Sequence, residues 1–320
     1  MQNVQIPRFY VDLGQYLTAI GYDFGYDLND DEMHLMSLNP AKQIEISDDT
    51  WNGILVPRVF PITYTAWLGH DAGSHMYPKW FDEDLAELSN VSDYSGINTQ
   101  EYSDENPEYS GFTIATFTDS TEPYLGGIVG VGAKIGAVSI GNHFDMPSAD
   151  LSLTLTYEYD GIDTLQSKGG ASFSNALYTK PADWGNAGAW QLGSLPNSIP
   201  RSGRRVWDLQ FSYVDSTKLM AKVAASSNVL ATDGNDGSGY EVADYPRENT
   251  LLDGDDFFSS VWNLTLGGHL KFIFNPSGGG TSPNNNPDQF AICKFDMGSL
   301  KYTQVAHSVY NVKLKIREVW

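Results

Sequence analysis

Apolar and polar side chains alternate most clearly in the last two thirds of the chain, with the two-residue period of a strand. Leu151, Leu153, Leu155, Tyr157 and Tyr159 alternate with Ser152, Thr154, Thr156 and Glu158. Asp160-Gly161 then supplies the two left-handed residues of a type I′ turn, so Ile162–Ser167 is predicted to return as the second strand of a hairpin. Another alternating strand carries Trp207, Leu209, Phe211 and Tyr213. The last places Tyr310, Val312, Leu314 and Ile316 on one face, and Asn311, Lys313, Lys315 and Arg317 on the other. Phe112–Phe117, Leu270–Phe274, Gln289–Phe295 and Leu300–Val305 read as further strands, the last two joined through residues 296–299. The apolar run from Gly126 to Gly141 is punctuated by glycines that let strands pack closely or bend.

Helical spacing is sparse. Leu13, Leu17 and Ile20 predict a helix within Tyr10–Ile20, stopped at Gly21. A second short helix is predicted over Trp80–Leu88, with Asp82, Glu83 and Asp84 near its N-terminus. A third is expected over Asp256–Leu266, capped by Asp253 or Asp255 and ended by Gly267-Gly268. Ile54–Leu68 is β-rich, but Pro57 and Pro61 confine it to an edge or a bent path. Residues 89–110 read as a surface loop or linker, and Pro276–Pro287 as a flexible excursion. The expected fold is mainly β, an antiparallel β-sandwich core with a few short helices and long loops.

Charge adds a division. The 320 residues hold 40 Asp and Glu against 19 Lys and Arg, a formal net of −21. Residues 1–110 carry 19 acids and 4 bases, net −15; residues 111–320 carry 21 and 15, net −6. Residues 1–110 are therefore expected to form an acidic, mixed α/β or loop-rich interaction region. Residues 111–320 are expected to form an antiparallel β assembly domain with one helix near 256–266. Such a charge repels nucleic acid and anionic membranes, and the only cationic cluster is Arg201, Arg204 and Arg205. No apolar run approaches the ~20 residues of a membrane helix. The opening MQNVQIPRFY has no basic and apolar leader pattern, so no signal peptide is expected. Cys293 stands alone in an apolar run and is expected to be a buried, reduced thiol.

Chemistry is hard to find. Gly130, Gly132 and Gly136 miss the spacing of a dinucleotide turn, and no phosphate loop, HExxH or GxSxG occurs. Asp233 to Gly237 opens like a calcium loop but lacks the closing Glu, and reads as a solvated turn. His70, His75 and Asp71 could hold a divalent metal, yet a polar loop with solvent-facing histidines is the preferred reading. His143 with Asp145 reads as a turn stabilised by Asn142 and Asp145. With 40 acids, no carboxylate pair stands out as a glycosidase couple. Trp207 is expected in the core. Trp184 and Trp190, in a glycine-rich loop with Tyr178 nearby, are candidate platforms for stacking a sugar or anchoring an interface. No catalytic, cofactor-binding or metal-ligating residue is assigned.

Several segments carry a resemblance. DDFFSSVWNLTLGG (ending at Gly268), LKFIFNP (Leu270–Pro276), NPDQFAICKF (Asn286–Phe295) and QVAHSVYNVKLKIREVW (Gln304–Trp320) resemble the end of tail-module structural proteins of tailed, notably marine, bacteriophages. SKGGASFSNALYTKPADWGNAGAWQLG (Ser167–Gly193) and SGRRVWDLQFSY (Ser202–Tyr213) resemble the same group, so about half the chain is covered. The resemblance implies a non-enzymatic virion component, assembled in the host cytoplasm without a cofactor. It would belong to the distal tail or baseplate, or be associated with the tail tube, ringing with itself and neighbouring tail proteins. Lys313, Lys315 and Arg317 are the expected contact with an acidic neighbour, including residues 1–110 of another copy. The alternatives are a receptor-binding module that takes a host glycan through Trp184 and Trp190, and a head decoration or connector protein.

Overall fold

A computed structural model describes residues 5–22, 30–39, 44–45, 56–57, 60–70, 77–81, 87–90, 95–98, 111–117, 124–128, 134–159, 163–175, 183–184, 187–188, 203–220, 256–284 and 289–319. The first strands are β1 (Arg8–Asp12), β2 (Ile44–Glu45), β3 (Val56–Pro57), β4 (Tyr64–His70), β5 (Tyr77–Phe81), β6 (Glu87–Asn90) and β7 (Ser95–Asn98). Then come β8 (Gly111–Thr116), β9 (Tyr124–Ile128), β10 (Lys134–Ile135), β11 (Ala137–Asp145), β12 (Thr154–Glu158), β13 (Asp163–Gln166) and β14 (Ser172–Asn175). The rest are β15 (Asp183–Trp184), β16 (Ala187–Gly188), β17 (Arg204–Asp215), β18 (Phe272–Asn275), β19 (Ala291–Phe295), β20 (Tyr302–Ala306) and β21 (Val309–Glu318). Helices are short: α1 (Leu13–Ala19), α2 (Asp30–Leu35), α3 (Ser216–Leu219) and a π-helical turn, α4 (Phe258–Asn263).

One eleven-stranded antiparallel sheet organises the molecule, in the order β12-β17-β21-β19-β18-β1-β11-β4-β8-β7. β20 pairs with β21 along the edge that β19 occupies further on. A second sheet, β3-β9-β5-β6, has Pro57 on its edge strand, where the missing N–H is harmless. Among the described residues there are also three two-stranded ladders: β2 with β10, β13 with β14, and β15 with β16. The fold is thus mainly β and antiparallel, a sandwich-like core with few short helices.

β1 decides how the sheet is held. It lies between β18 and β11, with Arg8 opposite both Asn275 and Asp145. Its alternate residues enter two apolar clusters on opposite faces. Phe9 and Val11 join the larger one with Phe272, Phe274, Trp67 and Trp207, while Tyr10 joins the smaller with Tyr64, Ile273 and Ile292. Leu13, Tyr16 and Leu17 of α1, Val56 of β3 and Leu125 of β9 complete the larger cluster. Trp207 on β17 meets the Phe274 ring on β18 at 5.2 Å, although two strands separate them, so the sheet curls around this cluster. β1, β4 and β7, all before residue 111, share the sheet with the C-terminal strands. The change of charge at residue 110 is therefore no boundary of the sheet.

Several expectations need correction. The helix predicted from Tyr10 begins only at Leu13: Tyr10 and Asp12 are strand, and Asp12 caps α1 by accepting from the Gln15 amide at 3.2 Å. Gly21 stops it in the left-handed region as predicted, with φ +70°. The helix expected over Trp80–Leu88 is replaced by β5 and β6, which pair with each other. The predicted β12–β13 hairpin does not form. β12 pairs with β17 and packs Leu155 against the core, a gain that outweighs the local turn preference of Asp160-Gly161. β13 pairs instead with β14. Tyr213 is exposed at a bulge in β17, with φ +58°. β8 lies where Phe112–Phe117 was expected; Asp256, just before α4, accepts from the Ser259 amide at 2.9 Å, and the predicted caps Asp253 and Asp255 lie outside the described residues. The end of β6, Ser89 and Asn90, and all of β7 fall within the polar stretch 89–110. Residues 276–279, expected to be flexible, are buried, and the Gly279 amide donates to the Ile6 carbonyl at 2.9 Å.

Candidate functional site

β21 presents the predicted alternation: Val312, Leu314 and Ile316 are buried, while Lys313, Lys315 and Arg317 point to the other face. Intramolecular acids already hold two of these cations. Lys315 pairs with Asp296 at 2.7 Å, and Arg317 with Glu158 at 3.0 Å. Lys313 is exposed. Trp184 lies on β15, opposite Ala187 of β16. Trp190 and Tyr178 lie outside the described residues, as do His75, Asp71 and the Asp233 turn.

The hairpin of β13 and β14 is a different kind of surface. Leu165 and Phe173 stand opposite each other across it, 72% and 63% exposed. Every side chain from Asp163 to Ser174 is exposed. The turn closes through the Gly170 and Ser167 backbones, with Gly170 at φ +87°. Sequence reasoning missed this because the Asp160-Gly161 signal assigned β13 to β12.

Among the described residues, several strongly perturbed polar groups lie inside the protein. Arg8 forms two hydrogen bonds to Asp145, one of 2.8 Å from Nη2, and the Gly280 amide adds a third at 3.3 Å. His143 follows Asn142 on β11, not in a turn as expected, and its Nδ1 lies 2.7 Å from the Thr63 hydroxyl. Burial, aided by the charge of Arg8, pulls its pKa down to about 4. His70 is also strand rather than solvent-facing loop. It is buried in β4, and burial lowers its pKa to about 4. Neutral, poorly basic imidazoles enclosed in this way are weak proton acceptors near pH 7. Tyr64 shares a 2.6 Å hydrogen bond with Ser139, both fully buried, in the same region as Asp12.

A third buried group joins the two ends of the C-terminal half. Glu318 accepts from the Arg205 backbone amide at 2.9 Å and from its Nε at 3.1 Å; Nη2 donates to the Phe290 carbonyl at 2.6 Å. Arg205 is therefore a core residue and not part of a surface cationic cluster. Cys293 is buried on β19. Among the described residues no three His, Cys, Asp or Glu side chains come together as a metal-binding group. What the described residues offer is surface: an exposed hairpin and a basic strand face. No protein-family model, no curated protein and no solved structure matches this chain.

Proposed function

We propose that this chain is a non-enzymatic structural protein of a tailed-bacteriophage virion, belonging to the distal tail or baseplate or associated with the tail tube. It forms a ring with copies of itself and contacts neighbouring tail proteins. The observation that carries the reading is the β13–β14 hairpin. A two-stranded hairpin on its own is marginally stable in water. This one leaves an opposed Leu165–Phe173 pair exposed and packs none of its side chains from Asp163 to Ser174 into the core. Cover from a neighbouring subunit would stabilise it, as expected of an assembly arm. The phage-like segment Ser167–Gly193 begins in the turn of this hairpin, and the other phage-like segments supply β17, α4, β18, β19 and β21.

The test replaces Leu165→Ser and Phe173→Ser together. Both side chains are exposed, so the thermal midpoint of the isolated chain should stay within about 2 °C of wild type. Sedimentation should show self-association, or association with tail proteins, in the wild type and its loss in the variant. A wild type that stays monomeric alone and with every tail protein would sink the reading.

A further inference from the structure

The basic face is wider than β21, and it is costly to the sheet that carries it. Residues 270–320 hold six Lys and Arg against three Asp and Glu, net +3; the other 269 residues hold 13 against 37, net −24. Two of those three acids are engaged, Glu318 with buried Arg205 and Asp296 with Lys315. Lys294 of β19 stands directly opposite Arg317 of β21. Alternation puts both on the face away from Phe295 and Ile316, which are core. Lys271, just before β18, adjoins them: burial and then the charge of Lys294 lower its pKa, and its Nζ donates to the Leu38 carbonyl at 3.1 Å. Lys313 and Lys315 extend the same face along β21.

Like charges directly opposed on a sheet destabilise it. Glu158 relieves Arg317, and Asp208 stands opposite Lys315. Lys294 and Lys313 have no ion pair among the described residues. Lys313 is exposed and Lys294 half-buried, both on the face away from the larger apolar cluster. An anion supplied from outside would neutralise both.

We infer that Lys271, Lys294, Lys313, Lys315 and Arg317 form a docking face for the acidic surface of a second copy of this chain. The inference rests on the assembly reading and names its contact. A second copy is the occupant because everything outside residues 270–320 is net −24, so copies complement each other basic face to acidic face. Such a contact joins unlike patches, the heterologous geometry from which closed rings are built. Nucleic acid is disfavoured as occupant because the remainder of the chain repels it.

The experiment uses the full chain with Lys294→Glu and Lys313→Glu, leaving the Asp296 and Glu158 ion pairs intact. Glu at 294 would face Arg317 attractively, so the variant should melt at or slightly above the wild-type temperature. Self-association, followed by sedimentation at about 0.02 M and about 0.5 M salt, should weaken about tenfold or more with salt in the wild type. At low salt the variant should associate about tenfold more weakly than wild type. Equal association of variant and wild type would overturn the docking face and leave the assembly reading standing. A wild type that never self-associates would overturn the docking face, and it would overturn the assembly reading too only if it also stayed monomeric with every tail protein. If the lysines instead bound a short DNA duplex, with self-association unchanged in the variant, the choice of occupant would be wrong.

Discussion

Asp12 is the residue where one side chain serves two elements. It ends β1 and caps α1, yet it is 2% exposed. Burial raises its pKa to about 7, although the amides of Gln15, Ile140 and Gly14 and the Ser139 hydroxyl favour the charged form. The unfolded chain releases this proton near pH 4, whereas the folded chain keeps it until about pH 7. Stability should therefore fall as pH rises through that window and level off above it, by about 4 kcal/mol at most. Asn caps a helix as well as Asp and carries no charge, so Asp12→Asn should flatten that slope. Urea unfolding at pH 5 and pH 8 reads the difference; an unchanged slope in the variant would place the titration elsewhere. The Arg205–Glu318 pair gives the opposite lesson. Glu318→Gln leaves a buried guanidinium and should cost about 3–5 kcal/mol, more than replacing both partners with Met and Leu. Denaturant midpoints of the single and double variants compare the two.

Among the elements, strands covered on one face show their period in the sequence, while those covered on both show none and are readable only as apolar runs, as β18 and β19 were. β17 and β21 alternate because the face carrying residues such as Trp207 and Leu314 is buried while the other, Val206 excepted, is largely open. β1 and β4 are buried on both faces, so alternation vanishes, and the helical spacing of Leu13 and Leu17 captured Tyr10 as well. Pairing was less legible still. Nothing local to Thr154–Glu158 says that its partner lies some fifty residues on, in β17. The same limit applies to the docking face: the period of β21 exposed Lys313, Lys315 and Arg317, but only the β19–β21 register sets Lys294 against Arg317. Gly141 shows how tight the central pairing is. It stands opposite Asp12, and an added Cβ would collide with the Val11 carbonyl and come within 2.9 Å of the Leu13 amide. Gly141→Ala should cost about 1–3 kcal/mol, with β1 as the displaced strand, measured by urea unfolding and by amide exchange of Tyr10 and Val11.

At the scale of the molecule, the N-terminal strand locks the early and late halves of the chain together. Charge divides the sequence at residue 110, but hydrogen bonding does not. On one side of β1 lie β18, β19, β21, β17 and β12; on the other lie β11, β4, β8 and β7. Phe9 packs on Phe272 and Phe274 at 5.4 and 5.2 Å and on Phe257 at 5.7 Å, while Tyr10 meets Tyr64 on the opposite face at 5.1 Å. Truncating Phe9 to Ala should cost about 3–5 kcal/mol. Because β1 belongs to both halves, that loss should reach them equally. Amide protection of β4, from the acidic third, and of β21, from the C-terminal end, should fall at one denaturant concentration in the wild type. Both should shift together in Phe9→Ala, with the Cys293 thiol becoming reactive at the same point. If β4 lost protection first while β21 and Cys293 stayed closed, the two halves would be separate folding units, and the boundary read from charge would be physical after all.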